Sequence, residues 1–259
     1  MRKKFILVCF LSIIIIANAG WEIKEKSGDK ELNVIIANNK MMIENENSGT
    51  VFDLKKEKLT FYNKEKKIYW NGTIEDFVKE MDEITNLIIE EQLQSVQAEY
   101  RELYRIVLKE KMEQEKKERE KLNRSSLNIE IKREGSKKKI AGMKSVKYEV
   151  YADGKKNREI WINENINLKS EMNIEKMKSF FKKYYEKSGT GDRVSFSPEV
   201  IGLWEKGMPM KSEESYDENN KQNINSDINF ENIKIKEKSI DENEILNIEE
   251  YKKTPLKDF

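Results

Sequence analysis

Apolar and polar residues alternate along the chain from Trp21 to Trp70, as in Leu32–Ile36. An alternation with a period of two is typical of β-strands that bury one face. Short polar segments such as Ser27–Asp29 and Asn47–Gly49 interrupt the pattern, and their residue types suit tight turns. We therefore predict an antiparallel meander with one packed face and one face in water.

The pattern changes to a helical period after Thr73. Between Ile74 and about Asn123 the chain contains neither glycine nor proline, and Thr73 with Asp76 has the signature of a helix N-cap. We predict one long projecting α-helix, inserted at about residues 73–123, whose ~50 residues would extend ~75 Å. The apolar positions change phase near Ile88, which predicts a bend or a change of packing partner there.

The middle of this helical segment carries apolar residues at alternating steps of three and four. Such spacing forms the seam of a coiled coil. The seam would bind a helix of another protein or of a second copy of this chain, and the alternative is that it packs on the protein's own second helix. The residues of this partner-helix seam are Leu93, Val96, Tyr100, Leu103 and Val107.

Strand patterns return after the helical segment. Val146, Tyr148 and Val150 share one face of a predicted strand, so we expect them to be packed and Lys147 and Glu149 to face water. An Asp-Gly pair follows, and it predicts a hairpin turn into the next strand.

A second amphipathic helix is predicted from Ser170 to Glu186. Beyond it the pattern predicts a short helix from Pro198, a strand at Met208–Met210 and its partner strand at Phe230–Ile235. The intervening residues 217–227 are polar and rich in asparagine, which suits a long hairpin loop or a disordered segment.

The start of the chain has the three-part pattern of a secretory signal peptide. Basic residues precede an apolar run from Phe5 to Ala17, and Ala17 and Ala19 form a small-x-small cleavage site. The run is shorter than the ~20 residues that span a bilayer as a helix, so we predict cleavage after Ala19 rather than a retained membrane anchor. The protein would be exported to the periplasm or the outside of a bacterial cell envelope, without its single cysteine, Cys9.

The composition excludes several kinds of chemistry. The 259 residues include no histidine, and 49 basic residues nearly balance 48 acidic ones. Without histidine the chain lacks the usual general base and the commonest zinc ligand, and without a basic surplus it lacks the usual means of binding nucleic acid. Three Ser-x-x-Lys pairs occur, a number that chance accounts for in so lysine-rich a chain. We predict that the protein is not an enzyme, with no catalytic residues, no metal site, no cofactor and no nucleic-acid partner.

Several short segments resemble one family of exported bacterial proteins. Trp21–Lys24 opens the meander, Lys139–Val150 contains an Ile-Ala-Gly sequence, and Glu159–Ile162 and Gly207–Met210 follow. They resemble a family of unknown function whose fold is similar to the LolA and LolB lipoprotein carriers. The resemblance implies an α+β fold with a curved antiparallel β-sheet, a half-barrel, and helices in its concave face. The long projecting helix departs from that family pattern.

This resemblance covers most of the chain and implies its domain organisation. Residues 1–19 would be the signal peptide, and residues 20–253 a single LolA-like domain that contains the helical insertion. Residues 254–259 would form a flexible tail.

The second helix carries a stripe of bulky side chains: Met177, Phe180, Phe181 and Tyr184. In a half-barrel they either fill a solid core or line a cavity for an apolar ligand, such as a lipid or a lipoprotein acyl chain. The first functional hypothesis is therefore an exported protein that binds such a ligand. The alternative is an envelope interaction or structural protein that uses its long helix as a coiled-coil partner surface.

Overall fold

A computed structural model describes residues 19–124, 126–189, 191–215 and 229–259 of the protein. Its N-terminal part is the antiparallel meander that the alternating pattern predicts, because each strand pairs with the next one along the chain. Asn38 and Asn39 both have positive φ in the turn between the second and third strands. The six strands are β1 (Ala19–Ser27), β2 (Lys30–Ala37), β3 (Lys40–Glu44), β4 (Ser48–Asp53), β5 (Lys58–Asn63) and β6 (Ile68–Thr73).

Two helices follow the meander where the sequence predicts one. Helix α1 spans Ile74–Gln94 and helix α2 spans Arg101–Arg124, so the prediction of a single long projecting helix is wrong. The predicted N-cap is present, since the Thr73 side chain accepts a hydrogen bond from the backbone N–H of Asp76. We call residues 74–124 the helical hairpin.

The break after α1 lets the chain turn back on itself. The Ser95 hydroxyl donates to a backbone carbonyl one turn earlier, at 2.7 Å, and such local bonds compete with regular helical pairing. The Arg105 guanidinium of α2 then lies 2.9 Å from the Glu90 carboxylate of α1, although these positions would be ~22 Å apart along one straight helix. Near the turn Ile89 and Leu93 are buried, whereas a straight helix leaving the fold would expose both to water.

The rest of the sheet comes from the second half of the chain. Helix α3 begins after Asn173, whose side chain accepts from the backbone N–H of Lys176 at 2.9 Å, which is later than the predicted start at Ser170. The loop predicted at residues 217–227 lies outside the described residues. The elements are β7 (Ile129–Ile140), β8 (Met143–Ala152), β9 (Lys155–Asn163), α3 (Ile174–Ser188), α4 (Pro198–Ile201), β10 (Met208–Glu214), β11 (Phe230–Ser239), α5 (Glu242–Ile245) and β12 (Lys252–Lys253).

The strands of the described residues form one curved, unclosed sheet of twelve strands, in the order β12-β6-β5-β4-β3-β2-β1-β11-β10-β9-β8-β7. Strand β11 lies between β1 and β10 and joins the N-terminal meander to the second half of the sheet. The pairing is antiparallel except between β12 and β6. The fold is therefore α+β with a large, mostly antiparallel sheet, as predicted in outline.

Both faces of the meander are covered. On its front face Ile23, Val34 and Ile36 belong to the main core with the buried residues of α3 and the start of α1. On its back face Ile35 packs in a second cluster with Ile240 of the segment that follows β11. The prediction of one face in water is wrong for this region, because residues 240–251 return across the sheet and bury the alternate side chains.

The faces of β8 are as predicted, with one exception. Val146, Tyr148 and Val150 are buried, but so is Glu149 on the opposite face. The Lys156 ammonium lies 2.5 Å from the Glu149 carboxylate, and hydrogen bonds from Lys156 and from a neighbouring tyrosine lower the pKa of Glu149 to about 2. Ion pairing within the protein, rather than contact with water, balances the charge of this carboxylate.

The final residues, 254–259, contact the fold where the sequence predicts a flexible tail. The backbone N–H of Thr254 donates to the Tyr69 carbonyl at 2.9 Å. The backbone N–H of Leu256 donates to the Glu80 carboxylate at 2.6 Å, and that carboxylate also accepts from the Trp70 indole at 2.7 Å. Glu80 of α1 thus ties the C-terminal residues to the sheet.

Residues 1–18 of the predicted signal peptide, including Ala17, lie outside the described residues, while Ala19 is the first residue of β1. Within the described residues, no helix combines the length and the apolar character that crossing a membrane requires.

Candidate functional site

A cavity of about 330 Å³ lies on the front face of the sheet, beneath α3 and α4. Its lining comes from β1–β4 on one side, from β9–β11 on another, and from α3, α4 and the segments that flank α4. Most of the lining is apolar. Representative apolar residues are Ile23, Val34, Ile36, Met41, Met177 and Phe181.

The strand residues reach the cavity through simple alternation. Val34 and Ile36 of β2 line it, while Ile35 between them packs on the back face. Successive side chains of a strand point to opposite faces, so the meander supplies an apolar floor from every second residue. The floor follows directly from the period-two pattern in the sequence.

Helix α3 supplies an aromatic wall. The Phe181 ring centroid lies 5.1 Å from that of Phe52 and 5.3 Å from that of Phe196, and the rings of Phe181 and Phe196 are nearly parallel. Phe196 also passes so close to Gly191 that a Cβ there would lie 2.0 Å from the ring. Glycine at this position, with φ of 97°, therefore lets the loop after α3 lie against the cavity.

Two of the four predicted ligand-binding residues line the cavity and two do not. Met177 and Phe181 line it. Phe180 is buried in the core, with its ring 6.3 Å from that of Phe52, and Tyr184 packs between Phe77 and Phe196. Two of the four residues thus form the cavity wall and two pack in the core. Residues on one face of a helix still contact different neighbouring elements.

A buried arginine closes one side of the cavity. Arg158 of β9 is 1% exposed, and its guanidinium lies 2.7 Å from the Asp192 carboxylate and 3.4 Å from the Glu214 carboxylate. It also donates to the Ser195 hydroxyl at 2.5 Å. Burial lowers the pKa of Arg158, and the two carboxylates oppose that shift. This cluster fixes the loop after α3 to the sheet.

Glu25 brings a carboxyl group to the cavity from β1. Burial raises its pKa from 4.5 to about 7. A carboxyl with a pKa near neutrality beside an apolar cavity is the kind of perturbed group that marks functional sites.

A bulge in β11 turns a further polar side chain toward the cavity. Lys24 of β1 pairs with Lys234, but Glu25 pairs with Asn232, so Ile233 is the extra residue. Simple alternation would put Asn232 on the back face, and the bulge places it on the front face with Glu25. Ile233 is left 44% exposed.

Sequence reasoning missed these polar residues for different reasons. Glu25 had a usable signal, because it follows Ile23 by two positions and a carboxylate on the packed face of a strand is unusual. Asn232 had none, since the pattern does not show where a bulge falls. Arg158 acquires its setting only when α3 and its loop fold over the sheet.

The partner-helix seam is split by the helix break. Leu93 is buried at the end of α1, and Val96 is half-buried in the turn. Tyr100, Leu103 and Val107 are 49%, 60% and 54% exposed. The five residues do not lie along one helix, but Tyr100, immediately before α2, and Leu103 and Val107 in its first turns form an exposed apolar surface.

Comparisons with known proteins give no assignment. No family model matches the chain, and no curated protein matches it. Among solved structures, two of PNGF-II in different space groups align with TM-scores of 0.35 and 0.33, at 11% and 9% identity. Each alignment covers 92% of this chain and 31% of that protein, so this chain spans about a third of its length. Scores this low do not establish a shared fold.

Proposed function

We propose that the protein binds an apolar, lipid-like ligand in the cavity beneath α3, as an exported and non-enzymatic protein of a bacterial cell envelope. The observation that carries the proposal is an apolar cavity of about 330 Å³ between the sheet and α3. Ligand pockets typically measure about 300–1,000 Å³ and are lined by apolar and aromatic residues with a few polar groups. A LolA-like function as a carrier of acyl chains is in keeping with such a cavity.

The composition of the wall supports an adaptable ligand site. Met41, Met177 and Met208 all line the cavity, and the unbranched thioether side chain of methionine adapts to irregular ligand shapes. Each methylene that a ligand chain buries contributes ~0.8 kcal/mol. Binding of an acyl chain would therefore need no charged contact.

The test combines lipid extraction with a cavity-filling variant. Mass spectrometry of protein purified from its native envelope should detect a bound apolar molecule, and a neutral fluorescent apolar probe should bind the emptied protein. Met177→Trp should abolish probe binding, because the larger side chain enters the cavity. Met81→Trp is the matched control, since Met81 is 36% exposed on α1.

Two results would contradict the proposal. A wild-type protein without extracted ligand and without probe binding has no ligand function of this kind. Unchanged probe binding in a folded Met177→Trp variant would place the probe elsewhere on the protein.

Export is proposed from residues 1–19 of the sequence. The mature protein should begin at Gly20, which is the second residue of β1, so cleavage would remove only one residue of the sheet. N-terminal sequencing of the protein recovered from the cell envelope measures this. Met1 retained on membrane-embedded protein would contradict it.

A second candidate function uses the helical hairpin. Tyr100, Leu103, Tyr104, Ile106 and Val107 are all exposed by 47% or more, and contiguous exposed apolar surface marks interaction sites. This observation favours a protein partner, or a second copy of the chain, at the start of α2.

A further inference from the structure

One end of the cavity is polar, and its three polar groups lie on neighbouring strands. Glu25 of β1 pairs in register with Asn232 of β11. Ser212 of β10 pairs with Phe230, two residues from Asn232. Opposed residues in an antiparallel pair have Cβ atoms ~5 Å apart and diagonal neighbours lie ~7–8 Å apart. All three side chains line the cavity, and we call them the headgroup subsite.

The headgroup subsite contains hydrogen-bonding atoms that the protein leaves unused. Ser212 and Asn232 are 3% and 2% exposed, yet Ser212 Oγ and Asn232 Oδ1 have no hydrogen-bond partner within the described residues. Asn232 Nδ2 donates to the Pro209 carbonyl at 2.9 Å, which leaves the oxygen as the free acceptor. Buried polar atoms are normally paired, and an unpaired one costs free energy that a ligand could recover.

The charges around the headgroup subsite favour a cation. The Arg158 guanidinium is already engaged by Asp192, Glu214 and Ser195. This cluster contains two carboxylates and one cation, and ionised Glu25 adds a third carboxylate. An anionic group entering the subsite would meet this excess of negative charge, whereas a positive group would offset it.

We propose that the headgroup subsite binds the primary ammonium group of an amphiphile whose apolar tail occupies the cavity. An ammonium group has three N–H donors and no acceptor, which matches Asn232 Oδ1, Ser212 Oγ and the Glu25 carboxylate. The inference rests on the proposed ligand-binding function and names its ligand class.

The experiment compares three amphiphiles with the same tail on the mature wild-type protein near pH 8. Decylamine, decanol and decanoate each compete with a neutral fluorescent apolar probe, below the concentrations at which they form micelles. Decylamine should bind at least ~10-fold more tightly than decanol, and decanoate should bind least tightly.

Two glutamate variants on the same strand locate the effect. Glu25→Gln should reduce the preference for decylamine over decanol to less than ~3-fold. Glu22→Gln is the matched control, because Glu22 pairs in register with Ile35 of the back-face cluster, and it should keep the full preference. Ser212→Ala is a second variant of the subsite, and it should also weaken the binding of decylamine more than the binding of decanol.

The outcomes separate this inference from the proposed function. Decanoate binding as tightly as decylamine, or a full amine preference in Glu25→Gln, would overturn the headgroup assignment while the cavity function stands. A protein that binds neither the probe nor any of the three amphiphiles would overturn both.

Discussion

The cavity and the helical hairpin both carry large apolar side chains, but in opposite settings. Phe181 of the cavity wall is 4% exposed, whereas Leu103 of the hairpin is 60% exposed. The cavity is built by strands and helices from both halves of the chain, so its side chains have neighbours on several sides. The hairpin consists of consecutive helices, and among the described side chains of α2 those of Leu103, Ile106 and Val107 are exposed by 47% or more.

Charged groups differ between the two regions in the same way. Arg158 beside the cavity is almost fully buried among Asp192 and Glu214. Arg105 of the hairpin also contacts two carboxylates, Glu90 and Glu102, but its side chain is 30% exposed. Water screens the second arrangement and not the first. The stability of the protein should therefore depend more on the Arg158 cluster than on the ion pairs of Arg105.

The largest contrast is expected from placing one carboxylate in each region. Phe181→Asp should unfold the protein near neutral pH, since the loss of a buried aromatic ring costs about 3–5 kcal/mol and an unpaired buried charge costs more. Leu103→Asp should leave the free energy of unfolding within about 0.5 kcal/mol of the wild type. Urea denaturation followed by circular dichroism measures both. A stable, folded Phe181→Asp variant would show that this wall is open to water.

The two arginines give the next contrast. Arg158→Ala should destabilise the protein by about 3 kcal/mol, because it leaves Asp192 and Glu214 without their cation. Arg105→Ala should give a much smaller change, since its partners remain in water. The midpoint of urea unfolding measures both variants. Equal losses of stability in the two variants would mean that the buried cluster stabilises the protein no more than a surface ion pair does.

The sequence predicts the parts of this fold that depend on local pattern. The meander, the Thr73 N-cap, the faces of β8 apart from Glu149, and the pairing of β10 with β11 all follow from periodicity and turn residues. The helix break is only partly predictable. The phase change near Ile88 predicts a bend or a change of partner there, but α1 continues to Gln94 and the chain reverses after it. A run without glycine or proline does not indicate where such a reversal occurs. The cover of the back face by residues 240–251 depends on contacts between distant parts of the chain.

The candidate site is predictable to the same limited degree. Met177 and Phe181 were found from their helical stripe, because a bulky stripe must face the sheet. The polar end of the cavity was not found, because it needs a bulge at Ile233 and the approach of β10 and β11 to β1. Glu25 alone has a local signal, and the sequence does not show that it meets Ser212 and Asn232, because β1 is far in sequence from β10 and β11.

A smaller effect is expected from the ionisation of Glu25. Its folded pKa of about 7 lies above its usual 4.5, so the folded state favours the protonated form. This contribution to stability is complete below the unfolded pKa and is lost as the pH rises through 7. Glu25→Gln should therefore match the wild type near pH 4 and exceed its stability by about 2 kcal/mol near pH 8.

The groups that share the cavity with Glu25 set the control for this measurement. Arg158 and Asp192 also line the cavity, and Glu214 pairs with Arg158. All three residues are the same in both proteins, so comparing the two proteins at each pH isolates the effect of Glu25. A pH-independent difference between Glu25→Gln and the wild type would show that Glu25 is hydrated in the folded protein.

The smallest effect on stability, and the one that tests the hairpin itself, comes from Leu103→Glu. Its side chain is exposed, so the free energy of unfolding should change by less than about 0.5 kcal/mol. If the surface of Tyr100, Leu103 and Val107 pairs with a second copy of the chain, sedimentation of the wild type should show association that increases with concentration, and Leu103→Glu should abolish it. Gln114→Glu adds the same charge to an exposed position of α2 and should leave the association intact. A wild type that remains monomeric at high concentration would exclude self-association, and the exposed surface would then require a different protein partner to account for it.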